Sequence, residues 1–358
     1  MFNEMLFRHD KSNMFDILKT FPKQIETAIE IGKSAPKFKY TFKSNNFLIL
    51  GMGGSAIGGD ILRTYAKETK GADKLLIQSC RDYSVPGYFD NTTNVIASSY
   101  SGDTEETLSA LKDCIDRGME NIVCISSGGK LTEMAKENNF PLISIPGGLQ
   151  PRCALGSSFF PLIYLFLNSN AFNDIARSVT ELAIEELKEI LNAKSKIYSE
   201  LNESNPALNL AKEIFEKIPI IYSSSQILDA VNLRWRCQIQ ENAKNFVCGN
   251  LLPEMNHNEI NSFRFPSQVK NNFKVIFLKD ILDNDRVKIR FDALEQVIDK
   301  YSPNTISLTG DGKYFLSRIF DLIYLGDWTS YYLALLNETD PTPIPEILFL
   351  KDFLSGKK

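Results

Sequence analysis

The chain has 358 residues, 43% of them hydrophobic and 23% charged, with a formal net charge of −4. That length asks for two domains, and the balance is that of a globular protein with no excess of positive charge to attract nucleic acid. No apolar run is long enough to span a bilayer, and the N-terminus lacks the basic start and apolar stretch of a secretory signal, so neither a membrane nor export is expected.

In chain order, residues 12–33 read as a helix with Met14, Ile17, Leu18, Ile25, Ala28 and Ile29 on one face. Strand and helix patterns then alternate. Strands are expected at 47–50, 74–78, 94–97, 121–125 and 141–145, and helices at 55–68, 104–117 and 130–138. The stretch 173–200 carries Glu181, Glu185, Glu186, Lys188, Glu189 and Lys194 and reads as a solvated linking helix laced with ion pairs. The alternation resumes with strands at 218–222, 274–278 and 305–308. Helices are expected up to about residue 242 and over 284–300, 313–336 and 342–354. This predicts an α/β fold of two units, each a mostly parallel sheet flanked by helices in doubly wound, flavodoxin-like fashion. The expected division is 1–36 for an N-terminal helical segment, 37–172 for the first unit, 173–200 for the link and 201–358 for the second unit.

The six cysteines, Cys80, Cys114, Cys124, Cys153, Cys237 and Cys248, form no Cys-x-x-Cys pair and mostly have apolar neighbours. Buried reduced thiols in a cytoplasmic protein are the expectation. With only His9 and His257 in the chain, a metal site built on several histidines is not expected.

Two turns carry the chemistry. Gly51-Met-Gly-Gly-Ser-Ala-Ile-Gly-Gly-Asp60 follows the first strand, and Ser98-Ser-Tyr-Ser-Gly-Asp-Thr-Glu-Glu-Thr107 follows the third. Each stands at a helix start, where unpaired N–H groups attract anions, and small residues and hydroxyls suit a phosphate. The first also matches the dinucleotide fingerprint Gly-x-Gly-x-x-Ala. However, the next strand runs on into Ser79-Cys80 with no acid for a ribose, and a dinucleotide would leave the second turn without a role. No Gly-Lys-Ser/Thr follows, which rules out a P-loop. Simple N-capping explains one hydroxyl of Ser99, Ser101 and Thr104 but not three. The pair of turns suggests one phosphate held from two sides.

Gly53-Gly-Ser-Ala-Ile-Gly58 with Ser99-Tyr-Ser-Gly-Asp-Thr104 resembles the sugar isomerase (SIS) domain. Pro151-Arg-Cys-Ala-Leu-Gly156, Gln240-Glu-Asn-Ala-Lys244 and Glu254-Met-Asn-His-Asn-Glu-Ile260 resemble the bifunctional phosphoglucose/phosphomannose isomerase family, from about residue 40 to the C-terminus. Position 153, often a small residue in that family, is Cys here.

The resemblance implies two SIS domains and an aldose–ketose isomerase that needs no metal and no cofactor. Hexose 6-phosphates would be its substrates. Gly53, Gly54, Ser55, Ser99, Ser101 and Thr104 would hold the phosphate. On the residues alone, Arg152 is equally a surface ion-pair partner or a stabiliser of negative charge on a sugar oxygen. Glu241 alone reads as one exposed glutamate among many; the resemblance makes it the base that moves a proton between C2 and C1. His257 sits in a dense polar run. The resemblance gives it ring opening, contributed by a neighbouring subunit of a homodimer, and gives Lys351 a helping part and Thr342 an influence on mannose acceptance.

Two alternatives stand beside this reading. SIS domains also serve regulators that bind phosphosugars without converting them; those usually carry a DNA-binding helix-turn-helix, whereas the roughly 40 residues before the first SIS strand are not basic, and the Glu241 and His257 constellation would be unnecessary. The other alternative is an isomerase of a different phosphosugar.

Overall fold

The computed structural model describes residues 4–35, 41–267, 272–301 and 305–356; the expected boundary at 36/37 lies outside them. After a 3-10 turn at Glu4–His9 come two helices, α1 (Met14–Lys19) and α2 (Phe21–Ser34). The single helix expected over 12–33 is broken at Thr20, whose hydroxyl donates to the Asp16 carbonyl at 2.7 Å, while Pro22 sets the first turn of α2.

The first sheet unit runs β1 (Asn46–Leu50), α3 (Gly53–Glu68), β2 (Leu76–Cys80), β3 (Asn94–Ser99), α4 (Glu105–Asp116), β4 (Ile122–Ser126), α5 (Gly129–Glu137) and β5 (Leu142–Ser144). Its five strands are parallel in the order β2-β1-β3-β4-β5, the flavodoxin-like order. The winding reverses between β1 and β3, and this reversal opens a crevice at their carboxyl ends. Side chains alternate along β1: Phe47 and Ile49 enter one core, Leu48 and Leu50 the other. Burial on both faces is why this strand is an unbroken apolar run.

Three helices follow, α6 (Leu155–Leu167), α7 (Asp174–Tyr198) and α8 (Pro206–Ile214). All 13 residues of α6 are buried. An all-round apolar helix has no amphipathic stripe, so periodicity does not reveal it. The solvated character expected of 173–200 holds for only one face of α7. Thr180, Ala183, Leu187, Leu191 and Ser195 are buried, and Glu186 accepts the N–H groups of Lys313 and Tyr314 at 2.9 and 3.0 Å.

The second unit runs β6 (Ile218–Ser224), α9 (Asp229–Ala243), β7 (Cys248–Leu252), β8 (Phe273–Lys279), α10 (Asp285–Asp299), β9 (Thr305–Thr309), α11 (Phe315–Leu336) and α12 (Pro345–Leu354). Its strands are parallel in the order β7-β6-β8-β9, so the winding of the first sheet is repeated. Ile221, Ile276 and Leu278 join the core that holds Phe47 and Ile49, whereas Ile220, Tyr222 and Phe277 form a core on the other face. The shared core, filled by α2, α6, α7, α8, α9 and α11, therefore lies between the sheets.

All six cysteines are free, and burial pushes the Cys114 and Cys124 thiols up to about 12. Among the described residues, no helix is long and apolar enough to cross a membrane.

Candidate active site

The two Ser/Gly turns meet at the crevice between β1 and β3. Gly53 starts α3 with φ +47°, and the helix has no side-chain cap. Ser55, almost wholly buried, accepts the Tyr100 N–H at 3.2 Å, which joins one turn to the other. Ser99 Oγ lies 2.9 Å from Thr104 Oγ1 and accepts the Gly102 N–H at 3.1 Å. Thr104 occupies the cap position of α4 without capping it, because its hydroxyl turns to Ser99 instead. Ser101 is exposed and its Oγ accepts the Asp103 N–H at 3.3 Å. Two helix starts with unfilled caps thus share a rim of hydroxyls, an arrangement suited to a dianion.

Gly54 links this rim to Arg152. A Cβ on Gly54 would stand 2.7 Å from the Pro151 carbonyl oxygen, so only glycine lets α3 lie against the short turn Pro151–Cys153. Arg152 is 4% exposed. Its Nε donates to Asn242 Oδ1 at 2.7 Å, and its Nη2 donates to the Pro341 and Thr342 carbonyls at 2.7 and 2.8 Å. Nη1 is buried with no hydrogen-bond partner, 3.6 Å from Glu241 Oε2. A buried guanidinium with one nitrogen unmet is costly unless something fills the place. Glu241, 28% exposed, lies in the last turn of α9.

His257 and Lys351 are not brought to this cluster within one chain. His257 ends the short turn Glu254–His257 beyond edge strand β7. It is exposed and, among the described residues, makes no hydrogen bond or ion pair. Lys351 is exposed on α12, a helix with no buried residue. Thr342 does reach the cluster: its carbonyl is on Arg152, and its Oγ1 is buried without a partner.

Residues 203–354 match the family model described as bacterial phospho-glucose isomerase C-terminal SIS domain. A bifunctional phosphoglucose/phosphomannose isomerase from Caldicellulosiruptor bescii is 38% identical over 96% of this chain and 100% of its own length. The chain belongs to this isomerase family. A D-glucosamine-6-phosphate 4-epimerase from Sulfolobus acidocaldarius is 30% identical over 76% of this chain and 78% of its own. Among solved structures, the C-terminal domain of glucosamine-fructose-6-phosphate aminotransferase from Francisella tularensis superposes with a TM-score of 0.68 at 14% identity, covering 93% and 100% of the two chains.

In this family member, sequence reasoning missed the residues that hold Arg152. Arg234, Gln238 and Asn242 recur every four residues along α9 and so share one face. Arg234 Nη2 donates to the Arg152 carbonyl at 3.1 Å and to Asp327 Oδ2 at 2.6 Å. Gln238 donates to Asp327 Oδ1 at 2.9 Å, and Asn242 to Ser330 Oγ at 3.0 Å. Polar side chains at helical spacing on α9, with Asp327 in the largely apolar α11 to answer them, were the available signal.

Proposed function

We propose that this protein interconverts glucose 6-phosphate, and mannose 6-phosphate as well, with fructose 6-phosphate. The observation that carries the reading is the unpartnered Arg152 Nη1 beside Glu241, joined through Gly54 to a rim of phosphate-type donors. The phosphate rests on the N–H groups of Gly53 and Gly54 and on the hydroxyls of Ser55, Ser99, Ser101 and Thr104. Glu241 removes the C2 proton of the open aldose, leaving a cis-enediolate, and returns a proton to C1; at 28% exposure the carboxyl can exchange with solvent between the two steps. Arg152 Nη1 meets the charge on the enediolate oxygens as it develops. Rotation about C2–C3 before reprotonation presents the other face of C2, which gives the second epimer. Positioning and electrostatics supply the rate, and the scheme assigns no metal and no cofactor.

The working unit is a homodimer. Exposed His257 is contributed to the partner's site for ring opening, and Lys351 assists. Support comes from α12, where Leu348, Phe349, Leu350, Phe353 and Leu354 are all more than half exposed. An apolar helix with nothing over it is covered by a second copy. The protein works in the cytoplasm, in keeping with six free cysteines.

Isomerisation of fructose 6-phosphate in deuterium oxide tests the proton transfer. The aldose product should carry deuterium at C2. Complete turnover with no solvent label, in both directions and at early times, would contradict a base exposed to exchange. Glu241→Gln should remove turnover and leave fructose 6-phosphate binding in place.

A further inference from the structure

Lys244 takes no part in the scheme above, yet it stands beside both of its central residues. It closes α9 in the left-handed conformation, φ 52°. Its ammonium donates to the Asp340 carbonyl at 2.7 Å and to the Asn242 and Pro341 carbonyls at 3.2 Å each. The Pro341 carbonyl is also an acceptor for Arg152 Nη2. Two cations therefore share one carbonyl. Among the described residues, no carboxylate lies within ion-pair distance of Lys244.

We propose that Lys244 is a positioning residue for the isomerisation: by bonding the Asp340 and Pro341 carbonyls it fixes the turn against which Arg152 Nη2 rests. Arg152 Nη1 is then held beside Glu241, free to meet negative charge on the sugar. The inference rests on the function proposed above.

The charged groups around Lys244 are Arg152, Asp340, Glu346 and Glu241. Partial burial first, and then the Arg152 charge, pull its pKa down to about 8 against the three carboxylates. A lysine whose folded pKa lies below its unfolded value costs stability while charged, and the cost is relieved as pH rises through the window from about 8 to 10.5.

The test compares Lys244→Met, Lys244→Gln and Lys244→Arg with the wild type, reading kcat, KM and melting temperature on the full chain. Lys244→Met and Lys244→Gln should lower kcat on the order of tenfold and leave KM within about twofold, since charge develops only in the transition state. Melting temperature at pH 7, read beside kcat, separates loss of the fold from loss of positioning, and Lys244→Arg should recover most of kcat. Wild-type kcat should fall above about pH 8; that fall should vanish in Lys244→Met and move upward in Lys244→Arg. Wild-type kcat in both neutral variants, or losses of kcat that track losses of melting temperature with no rescue by arginine, would overturn the role of Lys244 alone. A wild type that does not convert fructose 6-phosphate would overturn the functional reading itself.

Discussion

Substituting Gly54 by alanine should damage catalysis more than folding. The added Cβ would stand 2.7 Å from the Pro151 carbonyl oxygen and 3.3 Å from its carbon, both backbone atoms. An ordinary contact needs about 3.4 Å, so the turn carrying Arg152 must retreat by about 0.7 Å. The Arg152 Nη2 bonds to Pro341 and Thr342, now 2.7 and 2.8 Å, would stretch towards the outer limit of hydrogen bonding. Overpacking of this kind costs about 1–3 kcal/mol. Misplacing a charge-stabilising group by most of an ångström costs on the order of 10–100-fold in kcat. The assay is kcat for fructose 6-phosphate beside the melting temperature. Gly118→Ala is the control: Gly118 has φ 72° with no atom within 4 Å of an added Cβ, so it should lose about 1–2 kcal/mol of stability and no activity. A Gly54→Ala protein with kcat within twofold of wild type would refute the link between α3, Arg152 and catalysis.

Other outcomes follow from the same structure. If the site is shared between subunits, mixing equal amounts of Glu241→Gln and His257→Ala protein should restore about a quarter of wild-type turnover through mixed dimers, and no recovery after verified subunit exchange would count against sharing. Burial raises the Glu186 carboxyl, but the N–H groups of Tyr314 and Lys313 outweigh it and hold the group below its ordinary range. Its stabilisation is therefore present above the unfolded carboxylate pKa and lost as pH falls through the lower folded value. Glu186→Gln should lose about 1–3 kcal/mol at pH 7 and show a shallower loss of stability in acid, read by urea unfolding across pH 3 to 7. The raised thiols of Cys114 and Cys124 should resist alkylation at pH 7 until the protein unfolds, which peptide mapping of iodoacetamide adducts would show.

The parts of the fold that were legible are those where local pattern and tertiary role coincide. Phe47-Leu-Ile-Leu50 is apolar on both faces because both faces are covered, and its Gly-rich sequel marks the helix start that follows. Helix α6 escaped notice because it is buried all round, and β7 because Gly249 and Asn250 weaken an edge strand. Within the site, the anion turns announce themselves by composition. Arg152 and Glu241 do not: their pairing spans 89 positions (241 − 152) and exists only after α9 packs against the Pro151–Cys153 turn. The supporting set of Arg234, Gln238, Asn242 and Asp327 is hidden for the same reason, since each is ordinary until its partner arrives.

The most direct test of the central claim is turnover of fructose 6-phosphate in excess EDTA, with glucose 6-phosphate and mannose 6-phosphate measured separately. Both should form. Binding of fructose 6-phosphate without formation of either would contradict it and leave a phosphosugar-binding protein that does not convert its ligand.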